Sequence, residues 1–585
     1  MNGAEYIAEF LRQRGTKEIF LITGGACSFI VDAIGRNKGL KYYCFQHEQA
    51  AAMAADALWR TQRKVGATVV TSGPGATNLI TGIACSYFDS IPTIHITGQV
   101  NQNEKKNYKG ASVRQAGFQE TKIVEMVKPI TKYAVQVTNG EELKLELEKA
   151  YNQSITGRMG PVLIDVPMDV QKEEIGDSIT YTPPRISSPT EDSIKKYKST
   201  ITAFLNGGSR PLVLFGAGVG LGGSERYVSD WLQKNGIPFV STWNGMTYFN
   251  HDMPNYYGHI GVYGNRGANF LIQNCDRLLV LGSRLDNRQR SGDTESFASG
   301  ARVLVVDVDD QELQKYNNNS RHEEGISINL CHISSVLERV EMQTVNPEWV
   351  DYCNDMKARY FGRWASTSAK KYGSMSPYDA VKKINSLIED DAVVVADDGA
   401  NLCWVFQAFH RKKQAFFTAG GNSPMGYSFP ASIGAALYQP QRQIIAFTGD
   451  GSMQMNIQEL QTMAFNNLNI KLFILNNFGY GIIKQFQDLY FDGRYHATGQ
   501  GYSQPDFGKV SEAYGIPYLR IEKIEQITRD IIDKSGPMVI DLILHPLTMI
   551  EPKLEMGRSI EDQFPYLDDD DYNHAMKFVH KKRQS

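Results

Sequence analysis

Residues 447–481, FTGDGSMQMNIQELQTMAFNNLNIKLFILNNFGYG, place a helical stretch between two apolar runs. The run QIIAF (443–447) enters a glycine-flanked aspartate, Asp450, and IKLFIL (470–475) stops at Asn476 and Asn477. Runs this apolar read as strands buried on both faces, and strand, helix, strand reads as a parallel pair. In a parallel sheet the loops at the carboxyl ends of the strands line the crevice where ligands bind. The intervening helix would therefore return Asp450 and Asn477 to one crevice.

The same alternation runs along the chain: EIFLIT (18–23), ATVVTS (67–72), PTIHITG (92–98) and PVLIDV (161–166), then RPLVLFG (210–216), RLLVLGS (277–283) and RVLVVDV (302–308), then AVVVAD (392–397). These groups predict an α/β protein of three doubly wound parallel-sheet domains, 1–180, 195–345 and 370–550, followed by a tail, 551–585. TYTPPRISSPTEDS (180–193) and the stretch around QTVNPEW (343–349) read as the joints. The length, 585 residues with 42% hydrophobic content, exceeds what one core can organise.

A net charge of −3, with both signs interspersed, gives a nucleic-acid partner no electrostatic support. The charged start MNGAEYIAEFLRQRG lacks the apolar centre of a signal peptide, and no apolar run approaches the roughly 18 residues of a membrane span. The seven cysteines form no C-x-x-C pair, which argues against zinc and a disulfide framework and for a reducing, cytoplasmic setting. The acidic run LDDDDY (567–572) reads as part of a solvated tail.

The crevice residues suggest chemistry. Asp450, the Asn477 amide and the carbonyl of Gly479 would give three hard oxygen ligands, an incomplete shell of the kind Mg2+ completes with water and phosphate oxygens. Gly449 and Gly451 would let a diphosphate approach the backbone, and a helix start after Ser452 would offer it amide donors. Alone, a G-D-G reads first as a polar cap on two strand ends. The G-D-G-S, the 27-residue spacing from Asp450 to Asn477 and the doubled asparagine together resemble the diphosphate–magnesium motif of thiamine diphosphate (ThDP) enzymes. That cofactor has a second end, which needs a carboxylic acid at its pyrimidine nitrogen. In FQHEQAAAMAADALWR (45–60), Glu48 opens an alanine-rich helix, and TSGPGATNL (71–79) offers bare backbone after a strand. Taken alone, Glu48 reads as a charge at the positive end of a helix dipole.

Collinear motifs carry the resemblance further: HEQAAAMAADALWR (47–60), TSGPGATNLITGIACSYFDSIPTIHITGQV (71–100), FQETKIVEMVKPITKY (118–133), GRMGPVLIDVPMDV (157–170), GANFLIQNCDRLLVLGSRLDNR (267–288) and GGNSPMGYSFPASIGAAL (420–437). Over nearly its whole length the chain resembles the acetohydroxyacid (acetolactate) synthase family. The resemblance implies pyrimidine-binding, central and diphosphate-binding domains. It implies Glu48 as the activating acid, Asp450, Asn477 and Gly479 as metal ligands, and Gly25, Asn78, Gly449, Gly451 and Ser452 as further ThDP contacts. Met425 would be the wedge that bends the cofactor, and Phe118, Gln119 and Phe486 would face the substrates. It also implies FAD in the central domain, near Arg158, Gly216, Gly218, Arg284 and Asp309, and a homodimer or homotetramer with active sites at the subunit interface.

The implied reaction is decarboxylation of a 2-oxo acid, pyruvate foremost, and transfer of the acyl unit to an acceptor carbonyl. The chain lacks the paired histidines with which simple decarboxylases protonate that unit, which favours carboligation. Met168 stands in place of the family's lysine, Phe486 in place of its tryptophan, and the tail is long. These departures keep open acetyl transfer to a keto-sugar nucleotide, or an oxidoreductase of the pyruvate oxidase kind.

Overall fold

The computed structural model describes all residues except 107–112, 177–181, 183, 185–187, 293–294, 317–318, 363–366, 580–585 and the side chains of 105 and 106. Part of the joint expected at 180–193 lies outside the described residues, and its last residues, from Glu191, begin helix Glu191–Asn206. The rest forms three six-stranded sheets, and every strand pairing in them is parallel.

The first sheet contains β1 (Glu18–Leu21), β2 (Lys41–Cys44), β3 (Gly66–Val70), β4 (Thr93–Gln99), β5 (Tyr133–Gln136) and β6 (Val162–Pro167), in the order β2-β1-β3-β4-β6-β5. The second holds β7 (Pro211–Phe215), β8 (Phe239–Ser241), β9 (Tyr256–His259), β10 (Arg277–Leu281), β11 (Arg302–Asp307) and β12 (Ile326–Ser327), ordered β12-β11-β10-β7-β8-β9. In the third, β13 (Val393–Ala396), β14 (Ala415–Phe417), β15 (Ile444–Gly449), β16 (Ile470–Asn476), β17 (Tyr518–Ile521) and β18 (Met538–Ile543) run β14-β13-β15-β16-β18-β17. The chain winds outward in both directions from a pair near the middle of each sheet: β1/β3, β7/β10 and β13/β15. Loops diverge there, so a crevice opens at the carboxyl ends of those strands. Every residue of β15 and β16 is buried, whereas the edge strand β2 is largely exposed. Burial on both faces is why the central runs read as uninterrupted apolar sequence.

The alanine-rich helix Glu48–Gln62 joins the first domain to the third. Its small side chains let neighbouring backbone come close on several sides: a Cβ on Gly66 would sit 2.1 Å from Ala55 O, one on Gly82 2.4 Å from Ala52 Cβ, and one on Gly434 2.3 Å from Ala54 O. Gly434 belongs to helix Ser428–Tyr438 of the third domain, so the two domains meet almost backbone to backbone. Tyr427 Oη adds a hydrogen bond to the buried Asp56 at 2.5 Å.

Two sequence expectations change. The segment after 551 is not a solvated tail: Ile560, Tyr572, Ala575 and Met576 are buried in a cluster with Phe270, Leu271 and Trp349, and Leu554 N–H donates to Val262 O at 2.8 Å. Only the acidic part behaves as expected, because Asp568, Asp569 and Asp570 stay exposed at the start of helix Asp569–Ala575. Apolar residues spaced among charges give one side of this segment a face to bury. The expected joint at 343–349 likewise ends in structure, since Trp349 is fully buried and its Nε1–H donates to Pro211 O at 2.9 Å.

Candidate active site

In the third domain, β15 and β16 pair with Gly449 opposite Leu475. Asp450 follows β15 directly and Asn477 follows β16, so their side chains leave neighbouring carboxyl ends into one crevice, as the spacing anticipates. The helix starts at Asp450 rather than after Ser452, runs only to Met453, and then kinks at Asn456. Asp450 is 1% exposed, and its Oδ2 accepts hydrogen bonds from Gly479 N–H and Tyr502 Oη, each 2.8 Å. Burial pushes its carboxyl up to about 6 against those hydrogen bonds. A cation at the carboxylate would reverse that shift.

Asn477 is 3% exposed, and its Nδ2 has no partner. That orphan is a buried donor in want of an acceptor oxygen. Among the described residues no three His, Cys, Asp or Glu side chains gather to hold a metal. An ion here would therefore take one carboxylate, one amide oxygen and a carbonyl such as that of Gly479, with other oxygens completing the shell, which suits Mg2+. The bare backbone of Gly451 is required by its neighbours: an added Cβ would lie 2.5 Å from the Tyr480 ring and 3.3 Å from Met425 Cε. Met425 thus sits over the G-D-G turn.

The loop carrying Met425 is shaped by Asp397, which the sequence reading missed. This fully buried carboxylate at the end of β13 accepts from Gly426 N–H at 2.7 Å, Ser428 N–H at 3.0 Å and Ser428 Oγ at 2.7 Å. An aspartate that ends a strand at the switch point was the available signal.

In the first domain, Glu48 is 8% exposed and accepts from Asn78 Nδ2 at 2.9 Å through Oε2. Its Oε1 faces the place where a Gly75 Cβ would be, 3.4 Å away. Gly25 has open space around its Cα. Gln119, in the left-handed region at φ 62°, lies against Gly73, where a Cβ would come within 2.8 Å of Gln119 Cβ. Phe118 beside it is 84% exposed. Glu48, Asn78, Gly75, Gly73 and Gln119 therefore line one cleft at the carboxyl end of β3. Among the described residues no hydrogen bond connects this group to the Asp450 group.

Glu459, also missed, ties the two domains together just ahead of Glu48. It is fully buried, and its Oε1 accepts both Gln46 N–H and His47 N–H at 3.0 Å, while Oε2 accepts from Thr462 Oγ1 at 2.6 Å. Residues 412 and 413 positions apart in sequence carry no local signal of this pairing. Glu459→Ala would leave two half-buried N–H groups without their acceptor and is expected to cost about 1–3 kcal/mol in urea unfolding. Glu459→Gln keeps an acceptor oxygen and should cost under about 1 kcal/mol; equal losses in both variants would remove the hydrogen bonds as the cause.

The central domain has a cavity of about 340 Å3 at its own switch point, lined by Arg158, Gly218, Trp243, Arg284 and Asp307 among others. Arg158 Nη1 donates to Asp309 Oδ2 at 2.9 Å and to Glu312 Oε1 at 3.1 Å, so two residues named from the sequence are joined. Gly216 serves packing instead, because a Cβ there would lie 2.1 Å from Gly282 O; its missing side chain lets the ends of β7 and β10 meet. Phe486, on helix Gly481–Tyr490, packs its ring 4.6 Å from Tyr490 and 5.8 Å from Phe491, and Met168 starts helix Met168–Lys172. No helix is long and apolar enough to cross a membrane among the described residues.

Comparison with known proteins matches three family models in order: the N-terminal TPP binding domain of thiamine pyrophosphate enzymes over residues 1–126, their central domain over 199–322 and their C-terminal TPP binding domain over 397–542. The acetolactate synthase large subunit of Cyanidium caldarium is 33% identical, with 95% of each chain covered. The acetolactate synthase isozyme 1 large subunit of Escherichia coli K12 is 32% identical, with 95% of this chain and 96% of the relative covered. The acetolactate synthase large subunit of Lactococcus lactis is 30% identical, with 95% of each covered. With three matching domains in the right order and relatives spanning nearly all of its length, the chain belongs to the thiamine pyrophosphate enzymes, as a member of the acetolactate synthase family.

Proposed function

We propose that the protein decarboxylates a 2-oxo acid, pyruvate foremost, and joins the acyl unit to an acceptor carbonyl, with ThDP and Mg2+. The observation that carries this reading is the convergence of Asp450, the incomplete Asn477 amide and the Gly479 turn at adjacent strand ends, with Met425 over Gly451. Asp450, Asn477 and the Gly479 carbonyl would hold the ion, and the backbone of Gly449, Gly451 and Ser452 would receive a diphosphate. When bound, ThDP supplies a nucleophilic carbon and the electron sink that decarboxylation needs.

The protein's own part is binding, orientation and one proton. Glu48 keeps Oε2 on Asn78 and leaves Oε1 to hold a proton for the pyrimidine nitrogen. Met425 would prop the cofactor in its bent form, with Asp397 fixing the loop behind it. Gln119, Phe118 and Phe486 would border the substrates. A homodimer or homotetramer that apposes one subunit's Glu48 with another's Asp450 is part of the proposal.

FAD is proposed for the central cavity. Its residues fit a dinucleotide: Trp243 and Tyr263 offer flat walls, and Asp307 is a buried carboxylate able to accept hydroxyls.

Incubation of purified protein with labelled pyruvate, ThDP and Mg2+, followed by mass spectrometry, tests the reading. Release of CO2 together with a carbon–carbon coupled product such as acetolactate is expected. Acetate formed with consumption of an oxidant, or free aldehyde alone, would overturn it.

A further inference from the structure

A second cavity, of about 260 Å3, lies where all three domains meet, and its lining is strongly basic. Arg60 and Arg63 come from the first domain, Tyr248 and Glu225 from the second, and Arg411, Lys413 and Arg442 from the third. Five cationic side chains thus face two carboxylates, Asp89 and Glu225. Arg60 is neutralised by Asp56 at 2.5 Å and Asp89 at 2.8 Å. Arg442 is occupied by the carbonyls of Asp391 and Ala392. The remaining groups are not satisfied in this way.

The Arg63 guanidinium is held between two rings, 5.8 Å from Trp59 and 5.5 Å from Tyr248. Its Nη2 donates to Gly220 O, and its Nη1 is buried with no partner. Arg411 donates from Nε to Gln414 O at 2.9 Å and from Nη1 to Lys412 O at 3.2 Å. Neither arginine lies within 4.0 Å of a carboxylate among the described residues. Burial drives Arg411 down to about 10, even though Glu225 attracts it from across the cavity. Glu225 Oε2 is itself buried with no partner. Two arginines with no carboxylate within 4.0 Å, Arg411 feeling Glu225 only from across the space, and an unpaired carboxylate oxygen are costly unless something fills that space. The arginines require an anion, and their planar forks match phosphate oxygens. Glu225 requires a donor close to that anion, and the Tyr248, Phe416 and Phe417 side chains supply an apolar wall.

We propose that this three-domain cleft binds a small phosphomonoester that carries a hydroxyl group next to its phosphate, with Arg63, Arg411 and Lys413 on the phosphate and Glu225 on the hydroxyl. The site is separate from the ThDP crevice and goes beyond the reaction proposed above. It shares Asp89, Ala217, Leu221 and Asn244 with the central-domain cavity, so occupancy would brace the joint beside the flavin site.

Calorimetric titration of the intact enzyme with glycerol 3-phosphate, at constant ionic strength, tests the proposal, with inorganic phosphate, glycerol and FAD as comparison ligands. One equivalent of glycerol 3-phosphate per chain should bind, more tightly than inorganic phosphate, and glycerol should not bind. Arg63→Gln should weaken binding about tenfold, the worth of a charged hydrogen bond. Lys413→Gln, at an exposed position, should produce a smaller loss without touching the fold. Glu225→Gln should lower affinity for glycerol 3-phosphate and leave inorganic phosphate unchanged. Absence of heat, equal affinity in wild type and in both cation variants, or equal affinity for inorganic phosphate and glycerol 3-phosphate would overturn the proposal. So would displacement of glycerol 3-phosphate by FAD, because the cleft would then belong to the flavin cavity.

Discussion

Glu48→Gln is expected to bind ThDP as the wild type does and to turn over about 10²–10⁴-fold more slowly, the usual range for losing a positioned acid or base. Glutamine has the same shape, can still accept the 2.9 Å hydrogen bond from Asn78 Nδ2, and leaves the helix start at Gln46 and His47 on Glu459. What it cannot do is exchange a proton with a ring nitrogen. Fluorescence titration of ThDP measures the first half, and kcat with the 2-oxo acid at saturating cofactor the second. Turnover within tenfold of wild type would remove Glu48 from the proton's path.

Asp450→Ala should weaken Mg2+-dependent ThDP binding by about 100-fold or more, since even changes outside a metal's ligand shell cost 10–100-fold. Asp450→Asn separates that effect from folding, because it preserves an acceptor for Gly479 N–H and Tyr502 Oη while losing the charge. Mixing the two inactive chains gives a sharper result. If Glu48 of one subunit serves Asp450 of another, a hybrid of Glu48→Gln and Asp450→Ala chains contains one doubly altered and one intact site. Random reassociation of dimers should then restore about a quarter of wild-type activity, because half the dimers are hybrids and half their sites are whole. No recovery after confirmed subunit exchange would place both groups of each site in a single chain.

Binding energies in the central-domain cavity and in the three-domain cleft rest on different physics. The central-domain cavity already contains its ion pairs, Arg158 with Asp309 and Glu312, so a ligand there gains mainly from contact area and new hydrogen bonds. The three-domain cleft holds more cationic than anionic side chains, so a ligand there gains by relieving a desolvation cost the fold already carries.

The sequence by itself determined the layered architecture and the location of the chemistry. Strands buried on both faces must be apolar along their whole length, so the central strands of the three sheets were legible as runs, and the crevice followed from the polar residues that stop two of them. Asp450, Asn477 and Glu48 stand at local positions, the ends of strands and the start of a helix, and the resemblance of their motifs to those of ThDP enzymes is what singled them out. Three things were decided only by the tertiary structure. Glu459 holds the chain just ahead of the Glu48 helix from another domain, Asp397 shapes the loop beneath Met425, and the segment after 551 packs on the central domain instead of trailing in solvent. Gly216 belongs with them, since its bare Cα admits the Gly282 carbonyl rather than a ligand. In each case the partner is distant in sequence, and a buried carboxylate, a half-apolar segment or a glycine shows its purpose only when that partner arrives.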